Sequence, residues 1–172
     1  RGSLDDALTE TGWAQLRAAV ADGSRWDRLI SSPLQRCARF AEELAAQQGV
    51  PLSLEPDLQE LHFGAWEGRN TAELMQTSAE ELGRFWSDPY GFTPPEGEPL
   101  LAFEARILRA LQRLQVRHAG ERLLLVTHGG VIRLLLARAR GLPRNDLLQV
   151  VVGHAERFQL CLDEQGQLWE RA

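Results

Sequence analysis

Four apolar residues, Leu123-Leu-Leu-Val126, run without interruption into Thr127-His128-Gly129-Gly130 and then into a second apolar run, Val131-Ile-Arg-Leu-Leu-Leu136. A short apolar run bounded by turn residues suits a strand covered on both faces of an α/β sheet. The second run has the length of a helix, so the polar residues fall where a strand hands over to a helix. In open α/β sheets that place lies outside the carboxyl end of the strand, where ligands bind. A helix start there offers unpaired N–H groups and the positive end of a dipole to an anion. Gly129 and Gly130 allow close backbone approach. A histidine so placed either serves phosphate chemistry or merely satisfies a buried backbone group, and other motifs must decide between the two.

The flanking sequence repeats the alternation. Thr9 is an N-cap candidate for a helix through Val20, Leu29-Ile30 reads as a strand ending at Ser31-Ser32, and Pro33 fits the first turn of a helix from Leu34 to Gln48 that Gly49 stops. Val50 to Leu54 is the next strand. Ser78 and Glu81 form a capping-box pattern for a short helix, whereas Asp88 to Gly97, with three prolines and two glycines, can be neither helix nor central strand and reads as a lid or rim. Leu100, Phe103, Ile107, Leu111 and Leu114 mark one face of a long helix, with Arg106, Arg109, Arg113 and Arg117 as a solvated stripe on another. Leu147 to Val152, Arg157 to Leu162 and Leu168-Trp169 read as closing strands. Helix and strand in alternation predict an α/β fold, one domain over residues 1–172 with 65–99 as its lid or insert region.

Composition narrows the partners. A net charge of −5 with no basic tract argues against nucleic acid, and all 19 basic residues are arginine, whose planar fork suits phosphate. No apolar stretch approaches the roughly 20 residues of a membrane span, and Arg1-Gly-Ser-Leu-Asp5 has no signal-peptide core, so the chain reads as soluble and cytoplasmic with no membrane partner. Cys37 and Cys161 lack metal-ligand spacing and read as free thiols.

Two further segments carry chemistry. In Ser31-Ser-Pro-Leu-Gln-Arg36, Arg36 falls in the first turn after a strand and can aim its guanidinium at the strand's carboxyl end. Leu58-Gln-Glu60-Leu-His-Phe-Gly64-Ala-Trp-Glu-Gly68 sets a carboxylate in an aromatic, glycine-rich turn. Burial beside Phe63 or Trp66 would raise its pKa from about 4.3 and fit it to protonate a leaving oxygen. Glu55 and Glu67 compete for that role.

Together with Gly2-x-x-Asp5-x-x-Leu8-Thr-x-x-Gly12 and Pro94-Pro-x-Gly-Glu98, these motifs stand in the order found in the histidine phosphatase, or phosphoglycerate mutase-like, superfamily, which the chain resembles over nearly its whole length. The resemblance implies a three-layer αβα fold with a mostly parallel sheet. It implies hydrolysis of a small-molecule phosphate ester through a phosphohistidine, with no metal or other cofactor, and leaves a homodimer open. It makes His128 the second active-site histidine, Arg36 the clamp on phosphoryl oxygens and Glu60 the general acid. Arg1, Gly2, Gly129 and His62 would border the substrate. The family's Arg-His-Gly, on the central strand, is expected upstream of Gly2, in a segment of roughly 20 residues. As substitutes for that histidine, His62 is a weak candidate, while His118 and His154 read as structural or exposed. Within the family, Leu61 in place of a basic residue favours a phosphatase over a mutase, and the α-ribazole phosphatase branch is most similar. A sugar-phosphate phosphatase, a mutase and a noncatalytic phosphate-binding domain are the alternatives.

Overall fold

In a computed structural model, which describes residues 1–171, three parallel strands form the centre: β1 (Arg28–Ser31), β2 (Leu52–Leu54) and β3 (Leu123–Val126), in the order β2-β1-β3. Side chains alternate along a strand, and β1 uses this to feed two cores. Leu29 faces α1 (Glu10–Ala19) and α2 (Gln35–Gln48), packing with Phe40, Ala41 and Leu44, against which Trp13 and Leu16 close. Ile30 faces the other way, toward α5 (Leu100–Arg117) and α6 (Gly129–Ala139), among Phe103, Ile107, Val131 and Leu134. Helices thus cover both sheet faces, the three-layer arrangement that the family resemblance implies, built on the α/β alternation read from the sequence. Among the described residues, no helix is long and apolar enough to cross a membrane.

Local signals place most elements. Thr9 caps α1 through its hydroxyl, which accepts from the Gly12 N–H at 3.1 Å, and Gly49 ends α2 in the left-handed conformation. Pro33 lies just outside α2, which begins at Gln35 with Arg36 in its first turn. The lid region folds into α3 (Thr71–Thr77) and α4 (Ala79–Ser87), but the capping box belongs to Asn70 and Glu73, not to Ser78. Ser78 already closes α3, its N–H donating to Leu74 O at 2.7 Å, so its side chain caps nothing. Residues 88–97 are irregular, as their prolines require.

The expected strand at Leu147 to Val152 does not form. Arg144–Gln149 is a 3-10 helix that buries Leu147, and Val150 is buried just beyond it. An apolar run of this length carries too little periodicity to separate the two forms. β4 (Leu160–Leu162) and β5 (Leu168–Glu170) pair antiparallel as a separate ribbon against α6. Among the described residues, β3 is bonded along one edge only, to β1.

Candidate active site

A cavity of about 760 Å³ opens at the carboxyl ends of β1 and β3, within the size range of small-molecule sites. Arg1, Gly2, Arg36, Glu60, His128 and Gly129 all line it, although they lie as far apart as residues 1 and 129 in sequence. The sheet brings them together because Ser31 and Val126 are in register, so the segments leaving β1 and β3 emerge side by side.

His128 is the N-cap residue of α6 and is buried. Its Nε2 lies 2.7 Å from the Ser32 hydroxyl, and Nδ1 lies 3.7 Å from Cys37 Sγ. Burial pushes its pKa from 6.5 down to about 3, and the positive charges of Arg36 and Arg106 act in the same direction. The imidazole is therefore neutral near pH 7, able to donate through one ring nitrogen. Cys37, also buried, has its thiol pushed up to about 12 by loss of solvation. Ser32 carries no motif signal beyond its place in the Ser-Ser-Pro turn. Its contact with His128 spans 96 positions and is visible only once β1 and β3 pair.

Glu60 sits at the start of α6. One carboxylate oxygen accepts the Gly130 N–H at 3.0 Å and the other accepts the Leu61 N–H at 3.1 Å. A Cβ on residue 130 would stand 2.3 Å from a Glu60 oxygen, so glycine there is what lets the acid reach the helix end. Of the aromatic rings expected around it, Phe63 lines the same cavity, whereas Trp66 is buried in a cluster with Phe85 and Phe92, and amide N–H groups meet the Glu60 oxygens. The rival carboxylates are engaged elsewhere. Glu55 pairs with Arg113 at 2.9 Å and caps the Asp57 N–H, while Glu67 accepts from the Ser3 and Phe63 N–H groups at 2.8 and 3.0 Å.

Arg36 reaches the cavity, but its terminal nitrogens donate to the carbonyls of Leu4 and Gly2. In this structure it fastens the first residues of the chain across the site. Gly2 is buried with φ +54°, wedged against Glu67. Arg1 is exposed at the cavity edge, and Gly129 opens α6. His62 departs from expectation, since its side chain is exposed and does not line the cavity. A side chain two positions from Glu60 in an irregular loop need not share its direction. His118 lies near Glu121, and His154 stands exposed on the cavity rim.

The lid also differs from its sequence reading. Residues 88–97 do not line the cavity and instead back the acid loop, with the Ala65 N–H donating to Pro95 O and the Glu98 N–H to His62 O, both at 2.8 Å. The stripe of arginines on α5 is not uniformly solvated. Arg109 and Arg117 are exposed, whereas Arg106 turns inward and Arg113 bridges Glu55 and Asp57.

With this geometry in place, comparison with known proteins gives a consistent picture. The model of the histidine phosphatase superfamily, branch 1, matches residues 1–172. An adenosylcobalamin/alpha-ribazole phosphatase of Escherichia coli K12 is 33% identical over 144 residues, covering 83% of this chain and 71% of the relative. A probable phosphoglycerate mutase of Photorhabdus laumondii is 36% identical over 159 residues, 91% of this chain and 70% of the relative. Among solved structures, the alpha-ribazole phosphatase of Shigella flexneri superposes with a TM-score of 0.83 at 28% identity, over 99% of this chain and 85% of that one. A mycobacterial glucosyl-3-phosphoglycerate phosphatase gives 0.85 at 26% identity, over 99% and 88%. The chain belongs to the histidine phosphatase superfamily, branch 1.

Proposed function

We propose that the protein removes phosphate from α-ribazole 5′-phosphate, with Glu60 as the proton donor to the leaving oxygen and His128 as a donor to the phosphoryl group. The observation that carries this reading is the placement of Glu60 and His128 at one helix start: the acid is bonded to the Gly130 N–H at 3.0 Å and the histidine stands at the N-cap position of the same helix. The cavity lining includes Phe63, Phe85, Leu100 and Phe103, apolar surface that suits an apolar alcohol better than a phosphoglycerate carboxylate. Leu61, buried beside the acid, supplies no charge for a second anionic group. Preorganised donors in such a site act where water is scarce and count for more than in bulk.

In this reading Gly129 N–H and Arg1 add donors at the cavity wall, and Arg36 turns from the Gly2 and Leu4 carbonyls to phosphoryl oxygens. As in the family that the chain resembles, the alcohol leaves as the phosphoryl group passes through a phosphohistidine. Glu60 then serves as base for the water that hydrolyses it. An acidic chain without a basic tract supports a small cytoplasmic metabolite as partner.

The test is turnover by the complete natural protein of α-ribazole 5′-phosphate beside 3-phosphoglycerate and sugar phosphates, with acid-labile phosphoenzyme measured after rapid quench. Preferred hydrolysis of the ribazole ester is expected. Mutase activity dependent on 2,3-bisphosphoglycerate would reject the phosphatase reading. Phosphate binding without turnover or phosphoenzyme would leave a noncatalytic domain.

A further inference from the structure

Arg106 lies midway along α5, on a face where helical spacing alone assigns it to solvent, yet its side chain is only 15% exposed. All five N–H groups of its fork have acceptors, the full complement an arginine can offer. Nη1 donates to the carbonyls of Asp57 and Gln59 at 2.7 and 2.8 Å, and Nη2 donates to the carbonyl of Glu60 at 3.0 Å. Nε and Nη2 grip the two oxygens of Glu98 at 2.7 and 2.9 Å. Glu98 in turn brackets the far side of the loop, donating its N–H to His62 O at 2.8 Å and accepting the His62 N–H at 3.4 Å. The segment 57–62 has no ladder to hold it past the short 3-10 turn at Pro56–Leu58, so these carbonyls would otherwise be inward-facing and unpaired.

We propose that Arg106 is a positioning residue for Glu60, fixing the acid loop through the carbonyls of Asp57, Gln59 and Glu60 while Glu98 orients the guanidinium and joins the loop to the lid. The inference rests on Glu60 being the proton donor. Lysine cannot replace the fork, because an ammonium has three donors around a point and cannot span three carbonyls and a carboxylate together. The effect on chemistry is specific. A shift of the Glu60 backbone moves the carboxyl away from the leaving oxygen without removing any group that binds phosphate.

The experiment uses leaving groups of graded acidity with Arg106→Lys, Glu98→Gln and Glu60→Gln in the complete protein. An alkyl phosphate needs its leaving oxygen protonated, whereas 4-nitrophenyl phosphate does not. Arg106→Lys is expected to lower the single-turnover rate of alcohol release from the alkyl ester by roughly 10²-fold, the low end of a general acid's contribution, with substrate affinity and the single-turnover release of nitrophenol, which precedes activation of the water, little changed. Glu98→Gln should follow in the same direction more weakly, and Arg109→Gln, on the exposed side of the helix, should do nothing. Equal losses on both esters, or kinetics like the unaltered protein, would overturn the proposal. Amide hydrogen exchange across residues 59–63 gives a readout that needs no turnover. Faster exchange there in Arg106→Lys, with α5 and the sheet unaffected, is expected, and unaltered exchange would refute the clamp. If the unaltered protein hydrolyses neither ester, the phosphatase reading fails, and the exchange measurement still decides whether Arg106 holds the loop.

Discussion

His128 is held neutral by its surroundings, and the consequence for stability has a definite sign. Its pKa is about 3 in the folded protein and returns toward 6.5 on unfolding. Below pH 6.5 the unfolded chain takes up a proton that the folded one refuses, so stability falls as pH drops from 6.5 toward 3 and is indifferent to this group above 6.5. The slope within that window is about 1.4 kcal/mol per pH unit. Chemical denaturation of His128→Gln and the unaltered protein between pH 4 and 7 should show the difference in slope, and parallel curves would contradict it. Gly130 tests the neighbouring acid. In Gly130→Ala the new methyl meets the flexible end of Glu60, not backbone, so the cost falls on activity. The helix itself gains up to about 1 kcal/mol from losing glycine, which offsets the lost contact. We expect kcat to fall by roughly 10²-fold with a melting temperature within a few degrees of the original, measured on the same preparation.

At the scale of elements, the acid loop and the lid are fastened where Gly64 turns. That residue has φ +58°, and a Cβ there would lie 2.1 Å from Pro95 O and 2.4 Å from Gly97 N. Both obstacles are backbone, so Gly64→Ala must push residues 94–97 away. A loss of at least about 1–3 kcal/mol is expected, with reduced turnover as well, and thermal melts together with kinetics would establish it. The elements legible in the sequence were those whose signal is local: the apolar runs of β1 and β3, the Thr9 cap, the Gly49 stop, the periodicity of α5. The misread ones depended on neighbours. Ser78 and Asn70 both precede a glutamate by three residues, and only the ending of α3 on Ser78 decides between them. Arg106 sits on a helix face that periodicity calls solvent, but a loop brought there from residues 57–60 turns its carbonyls to it. The positions of Arg36, Glu60 and His128 near one cavity were legible through motif order, whereas the exposed direction of His62 and the engagement of Arg36 with Leu4 and Gly2 were not.

For the whole molecule, one strand organises two cores. β1 is bonded on both sides and sends Leu29 and Ile30, each fully buried, to opposite faces, whereas β3, among the described residues, has a partner on one side. Carbonyls of Arg122 and Val126 are taken by Asp27 and Ser32, so by the alternation of a parallel ladder Leu123 and Leu125 face the free edge. Their amides in the chain of residues 1–172 should exchange faster than those of Leu29 and Ile30 by hydrogen-exchange mass spectrometry or NMR. Equal protection would mean that another segment pairs with that edge. Cys37 has a different use. A thiol pushed up to about 12 beneath His128 presents almost no thiolate at neutral pH, and alkylation requires the thiolate. In a Cys161→Ser background, the rate at which iodoacetamide marks Cys37 therefore works as a clock for openings behind the histidine, and a ligand that slows the clock has covered the thiol from the cavity or tightened the packing between α2 and the end of β3.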